Sequence, residues 1–304
     1  AGEKVVARGW NWAVNARQCG SAIKPVSTYA PALDDGTING ASVIDDYPML
    51  LNGEVWPRNA NWRYQGLTAL HTAIAQSLNT CAVRTNLAYG VSNSYDFLVD
   101  KLGFENLTYT DSQQVGNMAL GGFEKGVTTE EMSAAYAAFV NEGVYTKPRT
   151  FIRVEDANGN VVLENEAQST VAMKNTTAAI INHLLQEAAL NGTGYEAQFS
   201  GMHIAGKTGS TNSNKDRYFV GYTPYYSCAV WAGYEHNQRI VASGNPCSAV
   251  FRKVMSAIHA DLADKDFFSC SGLTSVAVCA DSGMLASENC ALDVRGSRVY
   301  TALV

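Results

Sequence analysis

The stretch that decides the fold runs from Tyr218 to Tyr234 and has the sequence YFVGYTPYYSCAVWAGY. Residues 218–222 and 227–234 are rich in aromatic and other apolar side chains, which favour short buried strands. Thr223-Pro224-Tyr225 lies between the two runs and is typical of a turn. The stretch therefore predicts two antiparallel strands joined by a tight connection.

Helical periodicity occurs on both sides of this strand pair. Apolar residues recur at helical spacing in five segments, which are residues 21–33, 67–89 with an interruption near 77–80, 129–141, 176–190 and 249–262. Phe151 to Leu163 alternates and contains Asn158-Gly159, which favours a hairpin. Residues 34–64 lack a sustained period and are rich in Asn, Asp, Gly and Pro, so we predict a long loop on the substrate side.

Length and composition narrow the possible functions. The chain has 304 residues, of which 46% are hydrophobic, enough for one large globular domain. We predict one catalytic domain over residues 1–264 and a small appendage over 265–304. The net charge of -6 and the lack of a Lys/Arg cluster argue against a nucleic-acid partner. No run approaches the roughly 18 apolar residues of a membrane span.

The seven cysteines show no metal-ligand spacing, because there is no C-x-x-C pair, and no H-x-x-x-H occurs among the histidines. We therefore expect no metal and no cofactor. A turn pattern separates Cys279 from Cys290, which is compatible with a disulfide-closed hairpin and equally with two reduced thiols.

Three short motifs follow one another in the order S-x-x-K, S-x-N and K-T-G. They are Ser21-Ala22-Ile23-Lys24, Ser77-Leu78-Asn79 and Lys207-Thr208-Gly209. The first and third occur once each, whereas S-x-N recurs at Ser210, Ser243 and Ser287, so the ordered trio carries more information than its middle member. This set is typical of penicillin-binding proteins and serine β-lactamases.

The motifs suit an activated serine nucleophile. Residues three apart on a helix share a face, so the Lys24 amine can reach the Ser21 hydroxyl and accept its proton. This needs a lysine pKa well below about 10.4, which burial and the charge of Lys207 both favour. Ser77 is expected to relay the proton to the leaving amine. Asn79 is expected to orient Lys24 or the substrate amide.

The K-T-G segment is predicted to be the strand that holds the substrate. Thr208 and Ser210 offer hydroxyls to a substrate carboxylate, and Thr211 completes the predicted substrate-binding set. Gly209 suits a strand over which a substrate backbone passes closely. The backbone N–H groups of Ser21 and Ser210 are the expected donors to an oxyanion.

Beyond the trio, longer segments resemble the transpeptidase domain of class A penicillin-binding proteins over nearly the whole chain. They are Arg17-Gln18-Cys19-Gly20-Ser21, Ala119-Leu120-Gly121-Gly122 with the helix that follows, and Asp216 to Pro224. The resemblance implies an α+β fold, with an antiparallel sheet flanked by helices, an all-helical lobe and a cleft between. Cys19 stands where the family usually has Pro. Cys19 and Cys81 are each expected to fill space as a small apolar residue, and the alternatives are a disulfide between them or a redox-sensitive thiol beside Ser21.

The same resemblance implies a function and a location. Members cross-link peptidoglycan stem peptides ending in D-Ala-D-Ala through an acyl-serine, and β-lactam antibiotics acylate the same serine. The expected location is the extracytoplasmic face of a bacterial cell membrane. The resemblance further implies a membrane anchor and a glycosyltransferase domain in the full-length protein, neither of which is expected within this sequence, and it predicts that the strands normally preceding Trp10 are truncated.

Three related activities remain to be distinguished. A β-lactamase needs a Glu that activates water for deacylation. The one string of the right type contains Glu187, and we place it at the end of a helix rather than on a loop facing Ser21. A DD-carboxypeptidase and a non-turnover module that senses β-lactam or wall peptide stay open as alternatives.

Overall fold

The computed structural model describes residues 9–51 and 53–304 of the chain. The predicted loss of strands before Trp10 concerns residues 1–8, which lie outside the described residues. The α-helices of the described residues are α1 Ala30–Asp35, α2 Leu70–Ala75, α3 Asn79–Tyr89, α4 Val91–Asp96, α5 Tyr109–Ser112, α6 Val115–Leu120, α7 Thr129–Val140, α8 Asn175–Leu190, α9 Pro246–Ile258 and α10 Glu288–Ala291.

The strands are short and pair antiparallel throughout. They are β1 Val43–Asp46, β2 Leu50–Leu51, β3 Glu54–Val55, β4 Gly66–Ala69, β5 Val144–Thr146, β6 Arg153–Glu155, β7 Val161–Glu164, β8 Ser169–Val171, β9 Ala205–Ser210, β10 Asp216–Tyr222, β11 Ser227–Gly233, β12 Ser275–Cys279 and β13 Val299–Leu303. One sheet has three strands, and the other pairs are β1 with β4, β2 with β3, β5 with β8, β6 with β7 and β12 with β13.

The three-stranded sheet has the order β11-β10-β9 and confirms the predicted strand pair. Its central strand alternates between two cores, as a strand buried on both faces must. Tyr218, Val220 and Tyr222 belong to the main core, whereas Phe219 packs against Phe251 of α9 with ring centroids 4.7 Å apart. With helices on both faces and every pair antiparallel, the predicted α+β fold class is confirmed.

The helix that starts at Ser21 exists, but its winding changes along its length. It is a 3-10 turn over Gly20–Ile23, a π-helix over Pro25–Tyr29 and then α1. An α-type bond to the Ser21 carbonyl would need the N–H of residue 25, which proline lacks, and the N–H of Lys24 donates to that carbonyl instead. Together with α3 to α6 this helix forms the helical lobe.

Residues 34–64 are more ordered than the predicted loop, since they contain β1, β2 and β3. Leu67 to Ala69 was also predicted as helix but is strand β4, which pairs with β1 in the register Val43 to Ala69. The spacing of apolar residues within 67–69 does not indicate a strand here, because the strand depends on pairing with β1, which lies elsewhere in the chain. The predicted interruption near 77–80 is confirmed as the break between α2 and α3.

The other predicted elements are confirmed with small shifts in their ends. α7, α8 and α9 correspond to the helices expected at 129–141, 176–190 and 249–262. The hairpin predicted around Asn158-Gly159 is β6 paired with β7.

Residues after α9 form a small unit around β12 and β13, which packs against the loop before β1. Ala41, Val278 and Ala302 make its small core, and the Tyr300 hydroxyl donates to the Ala41 carbonyl over 3.3 Å. All seven cysteines, including Cys279 and Cys290, are free thiols. Among the described residues, no helix is both long and apolar enough to cross a bilayer.

Candidate active site

The Lys24 amine lies at the centre of the site and brings the first two motifs together. Its Nζ is 2.7 Å from Asn79 Oδ1 and 2.9 Å from the Ser77 carbonyl oxygen. Ser77 Oγ and the Leu78 carbonyl oxygen are each 3.4 Å away. All four neighbours are oxygen atoms. The break between α2 and α3, together with the first residue of α3, thus surrounds the amine of Lys24 with oxygen atoms.

Burial lowers the pKa of Lys24 well below its usual value, and the positive charge of Lys207 lowers it further. The side chain of Lys24 is 0% exposed. Burial also lowers the pKa of Lys207 to about 7. An unprotonated Lys24 amine has two hydrogens for the nearest two acceptors and keeps a lone pair, which is what a proton acceptor needs.

Ser21 lies at the start of the helical segment and lines the cleft, as predicted. Among the described residues no hydrogen bond joins its hydroxyl to Lys24, a common feature of sites without substrate. Gly20 before it has a φ of +54°, and a Cβ there would lie 2.4 Å from the Ser210 carbonyl oxygen. This contact brings the backbone of Ser21 against β9. The two predicted oxyanion donors, the N–H groups of Ser21 and Ser210, therefore lie on either side of the contact.

Ser77 occupies the break in an uncommon backbone conformation. Its φ is +58°, a left-handed value that residues other than glycine rarely adopt. Such conformations cost about 1–3 kcal/mol and cluster at functional sites. The turn points both the carbonyl and the hydroxyl of Ser77 at Lys24.

The K-T-G motif occupies the third to fifth residues of β9, and side chains along this strand alternate between its two faces. Lys207 and Gly209 are buried, whereas Thr208 is partly exposed and Ser210 exposed. A Cβ on Gly209 would lie 2.1 Å from the Cys19 carbonyl oxygen. The structure thus gives a different reason for this glycine from the predicted passage of substrate, because β9 packs directly on the segment before Ser21.

The hydroxyls of the predicted substrate-binding residues have protein partners. Thr208 donates to the Thr193 hydroxyl over 2.7 Å, and Ser210 accepts from Arg217 over 3.1 Å. The Thr211 hydroxyl accepts from the backbone N–H of Asp216 over 2.9 Å. The sequence motifs did not identify Thr193 or Arg217.

A cleft of about 770 Å³ joins these parts and is in the usual size range for ligand sites. Ser21 and Asn79 line one side, and Ser210 and Thr211 line the other. Lys24 and Lys207 are buried in the protein around it. Several lining segments were not predicted individually, namely 54–58, 120–122, 212–213 and Asn237. Of these, 54–58 falls in the segment predicted to lie on the substrate side.

An ion pair that the motifs did not reveal ties the segment before Ser21 to the sheet. Arg17 Nη2 lies 3.1 Å from Asp216 Oδ1, and the Arg17 guanidinium lies 4.8 Å from the ring centroid of Trp231. The Trp231 indole N–H donates to the same carboxylate over 3.0 Å. Arg17 and Asp216 both fall in segments used for the family resemblance, which was the only signal for them.

Three further predictions concern residues outside the three motifs. Glu187 lies within α8, accepts from Asn191 over 3.0 Å and does not line the cleft. Cys19 and Cys81 are fully buried thiols, and burial raises the pKa of each, that of Cys81 to about 12. Both therefore fill space as unreactive apolar groups. Among the described residues, no cluster of His, Cys, Asp or Glu could hold a metal ion.

Comparison with known proteins gives matches over most of the chain. The family model described as penicillin binding protein transpeptidase domain matches residues 10–256. Penicillin-binding protein 1A of Clostridium perfringens is 35% identical over 93% of this chain. Penicillin-binding protein 1A/1B of Bacillus subtilis is 33% identical over 88% of it. The chain spans only 36% and 30% of these two relatives.

Solved structures share the fold at lower identity. Penicillin-binding protein 1A from Haemophilus influenzae aligns with a TM-score of 0.78 at 21% identity, over 96% of this chain and 49% of that one. The PonA1 protein from Mycobacterium tuberculosis in complex with penicillin V aligns with a TM-score of 0.73 at 23% identity, over 87% and 75%.

Proposed function

The chain belongs to the penicillin-binding protein transpeptidase family, and we propose that it catalyses DD-transpeptidation of peptidoglycan stem peptides. The observation that carries this proposal is the convergence of the three motifs at one cleft. In it Lys24 Nζ lies 2.7 Å from Asn79 Oδ1 and 3.4 Å from Ser77 Oγ, with Ser21 and Ser210 on the cleft wall. We propose Ser21, Lys24, Ser77, Asn79 and Lys207 as the catalytic residues.

In the first half-reaction Ser21 Oγ attacks the carbonyl between the two D-alanines of the donor peptide. The Lys24 amine takes the Ser21 proton, and Ser77 passes a proton to the nitrogen of the departing D-alanine. A C–O bond forms and the C–N bond breaks, leaving an acyl-serine. The N–H groups of Ser21 and Ser210 stabilise the oxyanion, and both lie where Gly20 meets the Ser210 carbonyl.

In the second half-reaction the amine of an acceptor peptide attacks the acyl-serine. A new C–N bond forms, the ester C–O bond breaks, and the proton lost by the amine returns to Ser21 through Ser77 and Lys24. The hydroxyls of Thr208, Ser210 and Thr211, with Lys207, would bind the substrate carboxylate. Gly209 lets β9 lie close to the nucleophile.

A β-lactam would undergo the first half-reaction, acylation of Ser21, but not the second. Its amide carbonyl acylates Ser21, but the leaving nitrogen stays tethered and the acyl group persists. In serine β-lactamases a Glu activates water for fast deacylation, and the one candidate of that type in this chain, Glu187, does not line the cleft. The persistent adduct makes β-lactams inhibitors of the proposed activity rather than substrates.

The proposed location and domain division follow from the family. We place the enzyme on the extracytoplasmic face of a bacterial membrane, where peptidoglycan is assembled, with a membrane anchor and a glycosyltransferase domain in the full-length protein. The catalytic domain is proposed to cover residues 1–264, with 265–304 as an appendage. The family match over 10–256 and the separate small core of β12 and β13 support this division.

Labelling with a fluorescent penicillin tests the proposal. The wild-type protein should gain one penicilloyl adduct, mapped by mass spectrometry to Ser21, and Ser21→Ala should remain unlabelled. Ser269→Ala, an exposed serine away from the cleft, should label normally. Stable labelling of Ser21→Ala, or no labelling of the folded wild type, would refute the assignment of Ser21.

Product analysis separates transpeptidation from the two alternatives. Incubation with a donor pentapeptide and an amine acceptor should yield a cross-linked peptide together with released D-alanine. Release of D-alanine without cross-links would favour a DD-carboxypeptidase. A stable penicilloyl adduct with neither product would favour a sensing module.

A further inference from the structure

A fully buried carboxylate, Asp46 at the end of β1, lies beside the S-x-N motif. One of its oxygens accepts from Asn59 Nδ2 over 2.7 Å and also from the Thr80 hydroxyl. The other accepts from the backbone N–H of Gln65 over 2.8 Å. Three donors thus satisfy a charge that is 0% exposed. Among the described residues no salt bridge joins this carboxylate to a cation, so its partners are the three neutral donors.

Asn59 connects this carboxylate to the start of α3. Its Nδ2 donates to Asp46 and to the Arg63 carbonyl, and its Oδ1 accepts from the backbone N–H of Asn79 over 2.8 Å and of Thr80 over 3.4 Å. The residue at the N-cap position of α3 is Leu78, which has no acceptor on its side chain. A residue from the loop after Pro57 therefore caps α3 in place of the usual local side chain.

The same loop also sets the side chain of Asn79. Asn79 Nδ2 donates to the Arg58 carbonyl over 2.7 Å, which turns its Oδ1 to Lys24 Nζ, also 2.7 Å away. Arg58 and Asn59 thus hold Asn79 by its side-chain amide and by its backbone. The chain of contacts runs from Asp46 through Asn59 and Asn79 to the Lys24 amine.

We propose that Asp46 and Asn59 are positioning residues for proton transfer, which hold Asn79 so that its amide oxygen fixes the Lys24 lone pair towards Ser21. This inference rests on the proposed function of Ser21 and Lys24. Neither residue belongs to the three motifs, and in the part of the chain that the structure describes neither is hydrogen-bonded to Lys24. Their effect is transmitted entirely through Asn79.

The pKa of Lys24 distinguishes a positioning role of Asp46 and Asn59 from a purely structural one, because only the positioning role affects the groups around the amine. Lys207 on β9 lowers the pKa of Lys24, and Cys81 on α3 has the opposite effect. Asn79 Oδ1 presents the negative end of its dipole to the amine, which favours the ammonium form. Loss of this contact should therefore lower the pKa of Lys24 further, and the acid limb of the acylation rate should move to lower pH.

The test measures acylation by a fluorescent penicillin against pH for Asn59→Ala, with unfolding followed in parallel. We expect the folded variant to acylate about 10- to 100-fold more slowly at its optimum, as misplacement of a reacting group does, with its acid limb at lower pH. Asn61→Ala is the matched control, because Asn61 is exposed in the same loop and, within residues 9–51 and 53–304, its side chain accepts only from the Arg63 N–H. It should match the wild type in both measurements.

A normal rate for folded Asn59→Ala, or a slower rate with the acid limb unmoved, would overturn the inference. If the wild type is not labelled on Ser21 at all, the proposed function fails instead, which keeps the two failures distinct.

If Asn59→Ala does not fold, a double variant in which the carboxylate and the amide of residues 46 and 59 are exchanged provides a second test. Asn59→Asp alone places two carboxylates in contact and should acylate poorly. Asp46→Asn combined with Asn59→Asp restores one carboxylate and one amide, and it keeps an acceptor for the N–H groups of Asn79 and Thr80. We expect this double variant to regain most of the lost rate. A folded double variant that acylates no faster than Asn59→Asp would contradict the proposed positioning.

Discussion

The Lys24 amine is held between opposing effects on its pKa. Four oxygen atoms around Nζ favour the ammonium form, while burial and the nearby Lys207 favour the neutral amine. The effects of burial and of Lys207 are the larger ones, so the pKa of Lys24 is lowered. The same oxygen atoms that could stabilise a charge therefore serve mainly to orient an uncharged amine. This combination suits a general base that works near neutral pH.

The charge of Lys207 should control the pH at which Lys24 becomes active. Lys207→Met removes the charge at nearly constant volume, so the penalty on the Lys24 ammonium falls and the pKa of Lys24 rises. The acid limb of penicillin acylation should then move to higher pH, opposite to the shift expected for Asn59→Ala. The rate constant for acylation, measured from pH 5 to 9, checks the direction.

Lys215→Met provides the control for this prediction. Lys215 is an exposed cation lining the cleft, but it is not among the charges that affect the pKa of Lys24. Its removal should leave the acid limb in place. If Lys207→Met leaves the limb unmoved or shifts it to lower pH, the two lysines are not coupled as described.

At the scale of secondary structure, α7 supports the helical segment that carries Ser21, the proposed nucleophile. The Tyr136 hydroxyl on α7 donates to the Ala22 carbonyl over 2.6 Å, next to Ser21 in the chain. The start of α7 has a reciprocal capping box, in which the Glu131 N–H donates to the Thr128 hydroxyl over 3.0 Å and the Thr128 N–H donates to Glu131 over 2.7 Å. This cap stabilises the start of α7, about two turns away from Tyr136.

Thr128→Ala should lower the free energy of unfolding by about 1 kcal/mol, the usual effect of removing an N-cap side chain. The acylation rate of the folded variant should stay within about twofold of the wild type, because Tyr136 lies two turns further along α7. Urea unfolding and penicillin labelling measure the two quantities. In the same turn, Glu130 is exposed and has no hydrogen-bond partner among the described residues, so Glu130→Gln should change stability by no more than about 0.5 kcal/mol. Equal effects of the two substitutions would argue against the cap.

At the scale of the whole molecule, the C-terminal unit covers part of the main core. Phe267 packs on Tyr222 of the central sheet with ring centroids 5.4 Å apart, and Phe268, Leu273 and Leu303 also pack against the main core. The backbone of Leu303 approaches so closely that a Cβ on Gly40 would lie 1.9 Å from its carbonyl oxygen. The appendage is therefore docked along a continuous surface.

Phe267→Ala should destabilise the whole molecule, because Phe267 joins the C-terminal unit to the sheet. We expect a loss of about 2 kcal/mol in the free energy of unfolding, below the roughly 3–5 kcal/mol of a fully buried phenylalanine, since Phe267 is partly exposed. Leu292→Ala, at a side chain that is 79% exposed in the same unit, should change the free energy by less than about 0.5 kcal/mol. Chemical unfolding followed by tryptophan fluorescence measures both, and an unchanged midpoint for Phe267→Ala would contradict this account of the docking.

Local patterns predicted much of this architecture. The helices α7, α8 and α9, the β6–β7 hairpin and the β10–β11 pair all depend on side-chain spacing or on turn residues close in sequence. Ser21 and Lys24 also follow from local geometry, since their separation alone places them on one helical face. The order of the motifs and the resemblance around them indicated the family before any tertiary contact was known.

Long-range contacts decided the rest, and no local pattern encodes them. Strand β4 looked helical because its partner β1 lies some twenty residues away, and Gly209 needed its small size for a contact with Cys19. The cap that Asn59 provides to α3 and the Arg17–Asp216 pair join segments with no common periodicity. The sequence alone therefore indicated the fold class, through the resemblance to a family, and the proposed catalytic groups, through characteristic residue types at short spacing. Only the tertiary structure decided which distant donors and acceptors hold those groups in place. A long-range hydrogen bond depends on the distance between two atoms in space, and it produces no periodic pattern in the sequence.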